Sequence, residues 1–165
     1  MADEYAEWKA EQAARWLEHV RSLALDVARM QDRVDVLRSL ALPSGIDYSR
    51  PVVMSSPSAD AIPNAVAKLM DAMGEYLDQL DAYVYESMDA SRRIAEIGDG
   101  RYRAVLSLYY VSGNTWEQVG EKLKKWVNGK FTYSPEYCRH LRNDALPFVY
   151  DVMPREWRTQ IPRAD

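Results

Sequence analysis

A chain of 165 residues, 47% hydrophobic and 28% charged, is long enough for one domain or for a small domain carried on an extended arm. Its net charge of −4 hides a division along the sequence: residues 1–98 hold 10 Lys or Arg against 17 Asp or Glu, residues 99–150 hold 8 against 5, and the last fifteen hold 3 of each. Only residues 99–150 are basic, the asymmetry expected if that stretch meets phosphates while an acidic half stays away from them. The single cysteine, Cys138, excludes an internal disulfide. No run approaches the roughly 18 apolar residues of a membrane span. The opening M-A-D-E-Y-A-E-W lacks the basic start and apolar core of a signal peptide, so a cytoplasmic protein without membrane attachment is expected.

The first hundred residues read as helix. Ala13, Trp16, Val20, Leu23, Val27, Met30, Val34, Leu37 and Ala41 alternate spacings of three and four, a heptad seam. Tyr5 and Trp8 extend the stripe toward the N-terminus, although Lys9 falls on the strict seam. The same alternation returns at Val66, Leu69, Met73, Tyr76, Leu80, Tyr83, Ser87, Ala90, Ile94 and Ile97. Between the two, residues 42–58 hold Pro43, Gly45, Pro51, Pro57 and five serines, which cannot continue a helix. The pattern predicts an antiparallel helical hairpin over 1–98 with its linker at 42–58. Ser58 or Asp60 is the expected cap of the second helix, with Pro63 in its first turn. A two-helix core is narrow, so Trp8, Leu25, Tyr83 and Tyr85 need cover, either from a second subunit or from the C-terminal residues.

From Arg101 to Leu146 three short helical patterns follow one another. Thr115 and Gln118 form a capping box; Ser134, Pro135 and Glu136 supply an N-cap, a first-turn proline and a first-turn carboxylate. Gly120 sits inside a helix, where glycine costs about 1 kcal/mol relative to alanine, and implies close approach by the next helix. This succession predicts a helix-turn-helix over residues 99–153. Asn128-Gly129, between Trp126-Val127 and Lys130-Phe131, predicts a type I′ β-hairpin inserted at 126–132. Trp126, Phe131 and Tyr133 are read as packing residues. Pro147 predicts a kink or stop near Ala145, after which Phe148, Val149, Tyr150, Val152 and Met153 pack the module onto the hairpin; residues 154–165 read as a loose tail. The expected fold class is all-α.

The words Y-V-S-G-N-T-W-E-Q-V-G-E-K-L and Y-S-P-E-Y-C-R-H-L-R-N-D-A-L resemble the C-terminal module of small phage-borne and prophage-borne transcription regulators related to sigma-factor region four. A long acidic helical half ahead of the module is also usual in that family. The resemblance implies a DNA-binding regulator of phage or mobile-element genes, with the last helix in the major groove of double-stranded DNA and RNA polymerase as a further expected partner. Three departures qualify it: the turn before the last helix is lengthened to K-K-W-V-N-G-K-F-T-Y-S, nothing resembles the sigma-factor region that melts promoters, and Pro147 falls where the recognition helix would run on.

In a helix-turn-helix the start of the last helix reaches base edges while flanking basic groups hold phosphates. Glu136, Arg139 and His140 are therefore the expected base readers. Arg139 leads, because its planar fork can take guanine O6 and N7 together. Tyr137, Leu141 and Leu146 fall nearer the inward stripe. Arg101, Arg103, Lys122, Lys124, Lys125, Lys130, Ser134 and Arg142 are the expected phosphate contacts; four to six of them would give a slope of about −4 to −5 for log affinity against log salt. Lys122, Lys124 and Lys125 also suit the negative end of their helix.

Catalysis has little to work with: His19 and His140 are far apart, and no phosphate-binding glycine loop or zinc spacing occurs. Cys138 and His140, two apart on one helix, diverge and do not form a nucleophile and base pair. No metal, cofactor or catalytic residue is expected. The competing readings are a DNA-packaging subunit of the small-terminase kind, which also joins a helix-turn-helix to oligomerising helices, and a coiled-coil interaction module without DNA contact.

Overall fold

The computed structural model describes residues 2–41, 61–126 and 133–159, and the described residues are helices and short connections with no strand. Helix α1 spans Ala2–Ala41 and α2 spans Ala61–Ile94. Then come α3 (Gly100–Leu106), which runs into a π-helical turn at Ser107–Val111, α4 (Trp116–Trp126), α5 (Pro135–Val152) and a 3-10 turn at Arg155–Trp157. The all-α expectation holds, and each heptad-patterned segment is one helix. Pro63 falls in the first turn of α2. The 42–58 linker, the Ser58 or Asp60 cap and nearly all of the 126–132 hairpin lie outside the described residues.

Two compact units form, one from Met1–Ala24 with Tyr83–Asp165, the other from Leu25–Ala82. A domain boundary near residue 98 is therefore replaced by one that falls within both long helices. The physical reason is a shared core. Trp16, Leu17 and Val20 of α1 and Ala90 and Ile94 of α2 are buried together with Leu106, Tyr110, Leu146, Val149 and Met153.

In the smaller unit Val34 and Ala41 bury against Leu69 and Ala72, with Leu37, Val66 and Tyr76 alongside, and Arg33 pairs with Glu75 at 3.2 Å. These pairings run antiparallel, as the hairpin requires. One seam position departs: Met73 is 39% exposed while its neighbour Ala72 is buried. A helix of 3.6 residues per turn drifts against a strict 3.5 repeat, and the small alanine lets the helices approach there.

In the larger unit the C-terminal residues provide cover for part of the leftover apolar surface. Trp8 lies 5.3 Å from the Tyr150 ring, and the Tyr83 hydroxyl donates to the Val111 carbonyl at 2.8 Å. Tyr85 stays exposed, at 75%, as does Leu25 of the smaller unit, at 41%. Lys9 leaves the seam for a reason: it pairs with Asp151 at 2.8 Å, and that hydrogen bond holds its ammonium above its ordinary pKa.

Helix α5 does not stop near Ala145, the second of the two outcomes expected of Pro147, but continues through Pro147 to Val152. Proline leaves the carbonyl four residues earlier without an intrahelical donor, and that residue, Asn143, is exposed where water can serve it. Burial of Val149, Tyr150 and Met153 holds the last turn in place. The chain beyond Pro154 is likewise not loose as far as Thr159. Arg158 donates to the Asp151 and Met153 carbonyls, Thr159 meets Gln12 at 2.9 Å, and Trp157 lies 5.1 Å from His19.

Tyr110 is fully buried, and burial pushes its hydroxyl up to about 12. A raised folded-state value makes a contribution that is complete below the unfolded value near 10 and is lost as pH rises through 12. Urea titrations at pH 9, 11 and 12 should show stability falling by about 3 kcal/mol across that window, and Tyr110→Phe should flatten the decline.

Candidate nucleic-acid interface

Helices α4 and α5 are built on local signals that operate as chemistry requires. The Thr115 amide donates to Gln118 Oε1 at 2.9 Å, and the Gln118 amide to Thr115 Oγ1 at 3.3 Å, closing the capping box. Ser134 Oγ accepts from the Tyr137 amide at 3.1 Å, with Pro135 at the first helical position. Gly113, at φ 69°, makes the turn into α4 through a conformation that side chains disfavour. Gly120 marks the close approach expected of it: a Cβ there would lie 2.3 Å from the Tyr133 carbonyl oxygen. Val119, Leu123, Cys138 and Leu141 bury α4 against α5. Burial also raises the Cys138 thiol pKa, in keeping with a packing role.

On this frame α5 presents Glu136, Arg139 and His140 to solvent, with Asn143 and Asp144 one turn on. Arg139 has no ion pair among the described residues; its guanidinium lies 5.7 Å from the Trp116 ring centroid. Trp116 in turn stacks on Tyr109 at 3.8 Å and 13°, and the Arg21 guanidinium covers Tyr109 at 3.8 Å. A layered stack thus runs from α1 through the π-helical turn and α4 to α5. Cation–π geometry of this kind restrains a long side chain while leaving its N–H groups free to bond.

The phosphate candidates divide. Lys124 is exposed and unpaired among the described residues, and Lys122 is exposed with its ammonium 2.6 Å from Asn114 Oδ1. Arg101 is exposed but bridges Asp99 at 3.0 Å, which holds that carboxyl below the usual range while Asp99 caps α3. Arg103 and Arg142 are not free for phosphate. Arg103 donates to the Ile97 and Gly98 carbonyls at 2.6 and 2.9 Å, capping the chain after α2; half-buried Arg142 leans on Trp116 and reaches the Tyr110 hydroxyl at 3.4 Å. Ser134 is engaged as the α5 cap. The Lys125 side chain and Lys130 lie outside the described residues. Tyr137 faces outward at 39% exposure, stacked on Tyr133, and is not an inward residue.

Sequence reasoning missed Arg21 and Asn114. Buried Asn114 donates from its side chain to the Leu108 carbonyl at 2.8 Å, and its own carbonyl accepts from Arg21 at 3.0 Å; Arg21 also donates to the Tyr109 carbonyl. One turn residue therefore ties α1, the π-helical turn and α4 together. The S-G-N word signalled a turn, but nothing local to Arg21 distinguished it from a solvated helix charge. Arg21→Met should cost about 1–3 kcal/mol in urea unfolding, because the Asn114 carbonyl loses its charged donor.

Among the described residues no group of His, Cys, Asp or Glu could hold a metal ion, and no helix is long and apolar enough to cross a membrane. No protein-family model, curated protein or solved structure matches the chain.

Proposed function

We propose that the protein is a sequence-specific DNA-binding transcription regulator of phage or mobile-element genes, with the N-terminal half of α5 in the major groove. The observation that carries the reading is Arg139: uncovered, unpaired among the described residues, restrained over Trp116, and set one turn into a helix whose start is capped and whose back is buried. A guanidinium so placed can take the O6 and N7 of one guanine, a contact worth about 1–3 kcal/mol of discrimination. Glu136 can accept from a neighbouring cytosine amine, and His140 flanks them. Lys122 and Lys124 supply phosphate contacts from α4.

Removing Arg103 and Arg142 from the phosphate set lowers the expected salt dependence. With about three phosphates engaged, log affinity should fall against log salt with a slope near −3. Selection of bound fragments from the DNA that neighbours the coding region tests the reading. Enrichment of a promoter-proximal site supports regulation, enrichment of a packaging-type site supports the small-terminase alternative, and no enrichment at low salt overturns DNA recognition. Contact with RNA polymerase belongs to the same proposal and is tested by co-purification with the bound promoter fragment.

A further inference from the structure

We propose that the cavity enclosed by the end of α2, by α3 and by the paired helices α4 and α5 binds a small carboxylate with an apolar tail, its charge met by Arg103. The cavity lies within the larger unit and measures about 670 Å³, inside the size range of small-molecule sites. Ile94, Ala104, Leu108, Leu123 and Leu141 give it apolar walls drawn from α2, α3, the π-helical turn, α4 and α5. Ser91, Ser107, Ser112 and Arg103 line it as well. Mostly apolar walls with a few polar groups that fix orientation are the usual make-up of such sites.

The serine hydroxyls are the second observation. Ser22, Ser39 and Ser87 donate theirs to carbonyls of their own helices, at 2.7, 3.0 and 3.1 Å. Ser91, Ser107 and Ser112 have no hydrogen-bond partner among the described residues, which leaves three hydroxyls for whatever enters the cavity. Two of them share a side because of the π-helical turn. Residues five apart in an α-helix point about 140° from one another. Here the Ser112 amide donates to the Ser107 carbonyl at 3.0 Å, a five-residue closure that sets the two one turn apart on one face. The turn is braced from outside: the Tyr83 hydroxyl donates to the Val111 carbonyl, Arg21 to that of Tyr109 and Asn114 to that of Leu108. Single π-helical turns of this kind are frequent at functional sites.

Arg103 decides the chemical class. It is half-buried, and the Ile97 and Gly98 carbonyls that accept from it hold it in place without supplying a counter-charge. It has no ion pair among the described residues, and the nearest acid along the chain, Asp99, is engaged by Arg101 at 3.0 Å. A partly desolvated cation beside apolar walls favours an anion that arrives with an apolar group of its own. A carboxylate carries one negative charge and only accepts hydrogen bonds, which fits a fixed guanidinium flanked by serine donors. Its tail would lie against Leu123 and Leu141, two of the residues that bury α4 on α5, so occupancy tightens that packing.

This inference concerns the cavity alone and does not depend on what α5 binds. Titration calorimetry of the full chain with octanoate should give a single site, and octanoate should raise the Tm as a ligand of the folded state does. Octanol, with the same tail and no charge, should bind more weakly by about tenfold or more. Arg103→Met should erase that difference by weakening octanoate alone. Ser91→Trp should fill the cavity and weaken both compounds by about tenfold or more. Helicity and the ligand-free Tm should not change in it, since Ser91 is exposed on α2, so it carries the test even if Arg103→Met does not fold. Four results would each overturn the assignment: no octanoate binding at millimolar concentration, equal affinity for octanoate and octanol in the parent chain, undiminished octanoate affinity in a folded Arg103→Met, or the same in Ser91→Trp. Octanoate binding by a chain that shows no DNA binding would count against the DNA reading alone.

Discussion

Trp16→Ala should lower unfolding stability by about 3–5 kcal/mol, the largest single loss expected in the chain. Trp16 is completely buried, within the cluster that joins α1, α2 and α5. Removing it leaves a cavity where three helices meet, and close-packed neighbours can fill such a space only in part. Its indole Nε1 is buried without a hydrogen-bond partner. Trp16→Phe removes that unpaired donor along with some volume, so its cost should be much smaller, about 1 kcal/mol. Urea unfolding followed by circular dichroism measures both. Similar losses for the two variants would show that the polar edge of the ring is not a liability in this core.

Gly120→Ala should destabilise the module by about 2 kcal/mol, although alanine is the better helix former by about 1 kcal/mol. The sign decides which effect wins. A Cβ at Gly120 would lie 2.3 Å from the backbone carbonyl oxygen of Tyr133, which has no side-chain freedom to yield, and Cys138 Sγ is 4.0 Å away. Accommodating the methyl means moving the chain that enters α5, and with it the Ser134 cap. The expected result is a lower urea midpoint together with weakened DNA binding, as α5 loses its docking on α4. A higher midpoint would mean that the 133–138 backbone yields at little cost.

The parts of the fold that were legible in the sequence are those written by neighbours along the chain. The Thr115 and Gln118 box, the Ser134-Pro135 start and the close approach at Gly120 each depend on residues a few positions apart or on one residue's special backbone. The heptad seams worked for the same reason: periodicity is a local property, and Ala13, Trp16, Val20, Val34 and Ala41 are all buried as it requires. What failed was set by contacts distant in sequence. Pro147 stays helical because the residues after it are buried by α1 and α2, which no local rule weighs. Arg158 and Trp157 are held by partners elsewhere, so their segment is not a loose tail.

The candidate interface shows the same division. Arg139 could be singled out from its position on the last helix, whereas the stack of Arg21, Tyr109 and Trp116 that restrains it could not, because Arg21 reaches across 88 residues to Tyr109. Arg103 and Arg142 looked identical to phosphate ligands in the sequence. Their donors are occupied by backbone carbonyls and a tyrosine hydroxyl that only the folded chain brings within reach.

The most direct test of the central claim compares Arg139→Ala with Lys124→Ala on a selected DNA site and on every single-base variant of that site. Arg139→Ala should lose about 1–3 kcal/mol on the preferred sequence and relax discrimination at one guanine position. Lys124→Ala should weaken binding uniformly across the variants and reduce the salt slope by about 1. Unchanged affinity and unchanged base preference in Arg139→Ala would contradict the account, since no other exposed group on α5 offers a guanine the same planar pair of donors.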